Sequence, residues 1–259
     1  MYVHHLELRK MAANGRMSLV TASKVVGGVK EYIFRGIQQL PIILGATTLL
    51  FTITTGSVAH ANLALGLSIL MPVYTALLQM ILGWIFKHVA PNNQVSWTRS
   101  TSDTCNLVPS HGEKKLLYYD SNSSNPQVVP SYWLMSVGFF IGYAISNAVD
   151  CLKTPAQPNA DPINIEKRNS HAVYVIVATV VFSFILLAVR FSYMRGCEGR
   201  GSLGIVTSLI AAVGAAAIGH GMYTLAKKCG SRASDLFGIL SQILPASATA
   251  PHPTVCTLE

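Results

Sequence analysis

Five long apolar runs, each of 18 to 24 residues, leave this chain very few folds. They cover residues 40 to 58, 63 to 86, 131 to 149, 172 to 189 and 203 to 226. Crossing about 30 Å of hydrocarbon takes roughly 20 helical residues. Within lipid, a backbone that finds no water must satisfy itself as a helix or a closed barrel. Unbroken apolar runs of this length fit helices, so the expected fold is all-α: a multi-spanning helical membrane protein of about five transmembrane helices. Composition agrees. With 51% hydrophobic and only 12% charged residues, and a mean hydropathy of +0.42, the chain has too little charge to cover a soluble globule and is too apolar for disorder.

The formal net charge of +8 raises the question of nucleic acid. The 19 Lys and Arg lie scattered between the apolar runs, without a basic block or interleaved aromatics. A lipid bilayer as partner explains them better than nucleic acid, because basic residues at helix ends anchor loops to anionic leaflets. Three regions follow. Residues 1 to 38 form a basic N-terminal segment, 39 to 226 a transmembrane bundle and 227 to 259 a C-terminal tail. Val26, Val29, Ile33 and Ile37 recur at helical spacing, which predicts an interfacial helix in the first region. No secretory signal is visible, so the first span is expected to serve as the insertion signal. In the second span Pro72 predicts a kink and a freed carbonyl for Thr75 or a neighbouring helix to satisfy. Residues 87 to 129 and 151 to 170 read as polar loops, the first with little secondary structure.

The third span, within Pro130 to Asp150, is patterned for packing. Gly138, Gly142 and Ser146 fall on one face, and Gly204, Ser208, Ala212 and Ala216 repeat the device on the fifth span. Lipid supplies no hydrophobic drive between helices, so small residues that allow close backbone approach hold them together. These stripes predict contact between spans three and five, or between copies of the protein in a homo-oligomer. Polar side chains inside spans form a second candidate group: Gln79, Asn147, Asp150 and His220. Asn147 and Asp150 sit one turn apart on one face, and His220 belongs near the same end. Such a cluster could relay protons or bind a cation, as in a small channel or transporter. The competing reading is a wetted, paired cluster at the membrane interface, favoured because one acid is few for a transport path. No catalytic residues are expected, since no paired carboxylates, Ser/His/Asp order, P-loop or dinucleotide fingerprint appears in context. No metal or cofactor is expected either: the five Cys include no C-x-x-C pair.

Counting basic residues orients the spans. With five spans and a cytoplasmic N-terminus, 13 of the Lys and Arg face the cytoplasm and six face the other side. The N-terminus is therefore expected inside and the C-terminus opposite. That arrangement gathers Cys151, Cys229 and Cys256 on the non-cytoplasmic side, where a disulfide could form, with scattered free thiols as the favoured competing reading. It also leaves the Asn122-Ser123-Ser124 sequon cytoplasmic and unmodified.

The order PSYW, FF, GY and SNA within Pro130 to Ala148 resembles uncharacterised multi-spanning membrane proteins of nucleocytoplasmic large DNA viruses, whose particles hold a bilayer beneath an icosahedral capsid. The resemblance covers about 20 of the 259 residues and brings no functional residues with it. It implies a structural protein of the virion internal membrane, made in the host endoplasmic reticulum during assembly. Its loops would meet minor capsid proteins or other virion membrane proteins.

Overall fold

A computed structural model describes residues 32–99, 105, 128–155, 162–192, 196–228 and 235–238. The helices are α1 (Tyr32–Gln38), α2 (Leu40–Thr55), α3 (Val58–Val89), α4 (Tyr132–Lys153), α5 (Pro162–Ser192) and α6 (Ser202–Lys228). Four of them, α3 to α6, are long and apolar enough to cross a membrane, and a fifth is reached if the broken pair α1 and α2 counts as one span. The fold is thus an all-α, multi-spanning one. No strand forms among the described residues, which hold two isolated bridges, Thr98 with Val128 and Gly196 with Gly199. The chain divides into two compact units, Met1–Leu40 and Pro41–Glu259. In the first, only Tyr32 to Leu40 is described; Ile33 and Ile37 of the expected interfacial helix lie in α1, whereas Val26 and Val29 fall outside the described residues.

The helix ends differ from the apolar runs, and each difference has a cause. The first run stops at Thr55, because Gly56 takes a left-handed φ of 62° that a side chain would resist. At about 1.5 Å per residue, the 16 residues of α2 reach about 24 Å, short of the hydrocarbon thickness. Thr47, Thr48, Thr52, Thr54 and Thr55 all donate their hydroxyls to carbonyls one turn back, so a threonine-rich helix carries no loose polar group into lipid. α5 begins at Pro162, ten residues before the expected start, so much of the supposed 151 to 170 loop is helix. Proline suits a first helical turn, and Arg168 reaches back to the Thr154 carbonyl at 2.5 Å, closing the α4–α5 connection.

Pro72 does not break α3. A π-turn at Gly66–Leu70 precedes it, in which the Met71 N–H bonds the Gly66 carbonyl. The next bond in that register would come from residue 72 to Leu67, and proline has no N–H to give. The Tyr132 hydroxyl of α4 takes its place, donating to the Leu67 carbonyl at 2.8 Å, while Thr75 donates to Met71 at 2.7 Å. The Phe139 ring occupies the space Gly66 leaves.

Burial runs opposite to apolarity. α5 is the most apolar of the four long helices, yet only 11% of its most apolar stretch is buried; α4 is the least apolar and 61% buried. Val173, Tyr174, Val177, Phe182, Phe184 and Ile185 stand outward on α5. A water-soluble core would sort these the other way round. With lipid as the outer solvent, the apolar helix belongs outside and the small, polar-spotted helix belongs in the middle.

α4 is that middle. It runs antiparallel to α3, with Gln79 beside Pro130 and Ala59 beside Tyr143, and antiparallel to α5, with Arg190 beside Ser131 and Ala172 beside Cys151. Beside α6 it runs parallel, in the most extensive helix contact of the bundle. A methyl group added at Gly138 would stand 2.7 Å from the Ala212 carbonyl oxygen, and one at Gly142 would strike that of Ala216. From the other side Gly219 abuts the Phe139 carbonyl, and Gly204 lies against the Ser96 carbonyl. Ser208 is fully buried, and the Ser146 hydroxyl donates to Gly142 at 2.6 Å.

Candidate functional site

Polar groups collect at the two ends of the bundle. At one end, the α3–α4 connection and the α5–α6 turn build a cap. The chain leaves α3 through turns at Pro91–Asn93 and Gln94–Trp97, so the region read as an irregular loop starts as ordered structure. Trp97 is buried against Phe86 and Val129, its indole N–H donating to the Ala90 carbonyl at 3.2 Å. Val129 N–H bonds the Trp97 carbonyl and Arg200 N–H the Val95 carbonyl, which ties both connections together. Gly199, at φ 90°, fits the tight turn against Ser96.

A disulfide joins Cys105 to Cys197 across 92 residues. Arg99 lies over it: Nε donates to the Cys197 carbonyl and Nη2 to the Cys105 carbonyl, each at 3.0 Å. The neighbouring Glu198 is 2% exposed and pairs with Arg190, 1% exposed, through Nε at 3.1 Å and Nη2 at 2.9 Å. Its other oxygen accepts the Ser131 N–H at 3.1 Å, and the Ser131 hydroxyl donates to the same carboxylate while accepting from Leu134 N–H as the N-cap of α4. The guanidinium also lies over the Trp133 ring, 4.8 Å from its centre. One carboxylate thus fixes the end of α5, the start of α4 and the turn into α6.

The opposite end holds most of the intramembrane polar group expected from sequence. Asp150 accepts from the Tyr223 hydroxyl at 2.8 Å and from Lys227 at 2.7 Å. Ser146 and His220 Nδ1 are 2.9 Å apart, and Asn147 is fully buried in the packed face of α4. Asn62 donates to the Met222 carbonyl at 2.5 Å, tying α3 to the same end. Gln79 does not join them. It donates to the Pro130 carbonyl at 2.8 Å, near the cap, and the 18 residues from Tyr132 to Asp150 put about 27 Å between the two places.

Sequence reading passed over Arg190, Glu198, Arg99, Tyr223 and Lys227 as site residues, and it did not single out Cys105 and Cys197 as a pair. Cys151 is a buried free thiol, and Cys229 and Cys256 lie outside the described residues. Scarcity was the available signal: with only 11 Asp and Glu in the chain, an acid beside a cysteine in a nine-residue turn has a structural partner to find.

Chemically, both carboxylates have internal partners. That of Asp150 is paired with an ammonium and accepts from a phenol, and that of Glu198 is paired with a guanidinium. Among the described residues, no group of three or more His, Cys, Asp or Glu side chains converges to hold a metal ion. Comparison with protein families, with curated proteins and with solved structures finds no match to this chain.

Proposed function

We propose that this chain is a structural integral membrane protein that ties a bilayer to a neighbouring protein layer, and that its setting is the internal membrane of a large DNA virus particle. The observation that carries the structural reading is the closure of the α4–α6 contact. Gly138 and Gly142 bring the two backbones together, Asp150 and His220 have partners within the bundle, and Gln79 lies at the opposite end from them. A closed bundle whose loops remain for partners suits a tether. The virion setting rests on the Pro130 to Ala148 resemblance alone, with minor capsid proteins and other virion membrane proteins as its partners.

The test is the copy number and position of the protein in purified particles, paired with flux measurements in reconstituted liposomes. Stoichiometric recovery with the membrane fraction and no ion or solute flux is the expected result. Flux that disappears in His220→Ala or Asp150→Asn would replace this reading with a channel or transporter, and absence from the particles would remove the virion setting.

A further inference from the structure

The position of the disulfide and the length of α2 bear on which way the chain faces. Thiols stay reduced in a cytosol and pair in an oxidising compartment. Cys105 and Cys197 are joined, and they lie in the cap, between α3 and α4 and between α5 and α6. Five spans with a cytoplasmic N-terminus would put that cap in the cytosol.

α2 removes the conflict. It folds back along α3 from the Gly56 turn: the Phe51 and His60 rings lie 5.4 Å apart, and a methyl at Gly45 would meet the Ser68 hydroxyl at 3.9 Å. In that register Pro41 stands level with the Gly66–Leu70 turn and Met71, in the middle of the 32-residue α3. α2 therefore runs beside only the first half of α3, and its length of about 24 Å falls short of the hydrocarbon thickness. Chain preceding it must either complete a crossing or return to the side it came from. Completion would carry Arg35, Gln38 and Gln39 into the hydrocarbon that α2 does not cover, which is costly for a charge and two amides.

We infer that the protein has four full spans, α3 to α6, and a half-span, α2, that re-enters, so that both termini face the cytosol and the disulfide-closed cap faces an oxidising compartment. The basic-residue count fits this arrangement as well as it fits five spans. The six residues before α2 join the three of 151 to 170 and the three of the tail, twelve against seven on the cap side. One of those seven, Arg190, is already neutralised by Glu198. The two topologies satisfy the charge rule about equally, and the disulfide separates them. The inference needs only the membrane character of the chain and stands whether or not the virion setting does.

The experiment uses the full chain with a short epitope at each end and its own Asn122-Ser123-Ser124 sequon as the glycan acceptor, inserted into sealed endoplasmic-reticulum vesicles. Protease added outside is expected to remove both epitopes, and the acceptor is expected to gain glycan. A mobility shift on reduction, lost in Cys105→Ser, is expected to report the disulfide in the same vesicles. One epitope protected while the other is cleaved, at whichever end, would restore five spans and overturn the inference. Two protected epitopes, or an acceptor left bare, would overturn it equally.

Discussion

Removing the carboxylate of Glu198 is the sharpest available perturbation. Its partner Arg190 is 1% exposed and cannot recover water when the pair is broken. At the observed 2.9 Å and an effective dielectric of about 20, the direct attraction is of the order of 6 kcal/mol, offset in large part by the desolvation of both ions. What Glu198→Ala exposes is the uncompensated part: a buried guanidinium without its carboxylate, and a Ser131 N–H without its acceptor. Breaking one partner of such a pair costs about 3–5 kcal/mol. For a chain of this size that corresponds to roughly 6–20 °C in melting temperature. The assay is thermal unfolding of detergent-purified protein, run beside Arg190→Met and the double variant Arg190→Met, Glu198→Leu. The double variant is expected to regain most of the loss, because no charge is left stranded. If Glu198→Ala melts within about 1 °C of the parent, or the double variant is the least stable of the three, the pair does not anchor the cap as argued.

Gly142→Leu drives a side chain into the Ala216 carbonyl and is expected to cost at least about 1–3 kcal/mol, whereas Gly221→Ala, with open space around it, is expected to gain up to about 1 kcal/mol; equal melting temperatures for the two would refute the α4–α6 register. Reductant is expected to lower stability by up to about 4 kcal/mol through loss of the Cys105–Cys197 link, and Cys105→Ser to be insensitive to reductant; a variant that still responds would place the sensitivity elsewhere. Asp150→Asn is expected to cost less than about 1 kcal/mol, since Lys227 is 47% exposed and Asp150 18%. A loss there as large as that from Glu198→Ala would mean that the far end is dry and closed rather than interfacial.

The spans could be read from apolarity because lipid sets a length and a polarity that few other solvents demand. The small stripes of α4 and α6 were legible for a similar reason: Gly138, Gly142 and Gly204 have little use in a helix interior except close approach. Reading stopped where the determinant was a tertiary coincidence. Nothing about a cysteine at 105 and another at 197 identifies them as neighbours until α3, α4, α5 and α6 bring both connections to one end. Gln79 was grouped with Asn147 and Asp150 by polarity alone, and distance along the helix separates them. The early start of α5 escaped notice because its first turns lie outside the apolar run, where Arg168 and Thr154 rather than hydropathy decide the boundary.

The parallel pairing of α4 with α6 also has a meaning in time. Partners such as Gly138 and Ala212, Gly142 and Ala216, or Ser146 and His220 are each 74 residues apart, with α5 between them in the chain. At about 5–20 residues per second, α4 leaves the ribosome about 4–15 s before its main partner. Throughout that interval the least apolar helix of the bundle, with Asn147 and Ser146 on its surface, has no α6 to cover it. The machinery that inserts membrane proteins has to shelter α4 until α6 arrives, and a chain interrupted before Ser202 is expected to be held there or degraded rather than released into lipid.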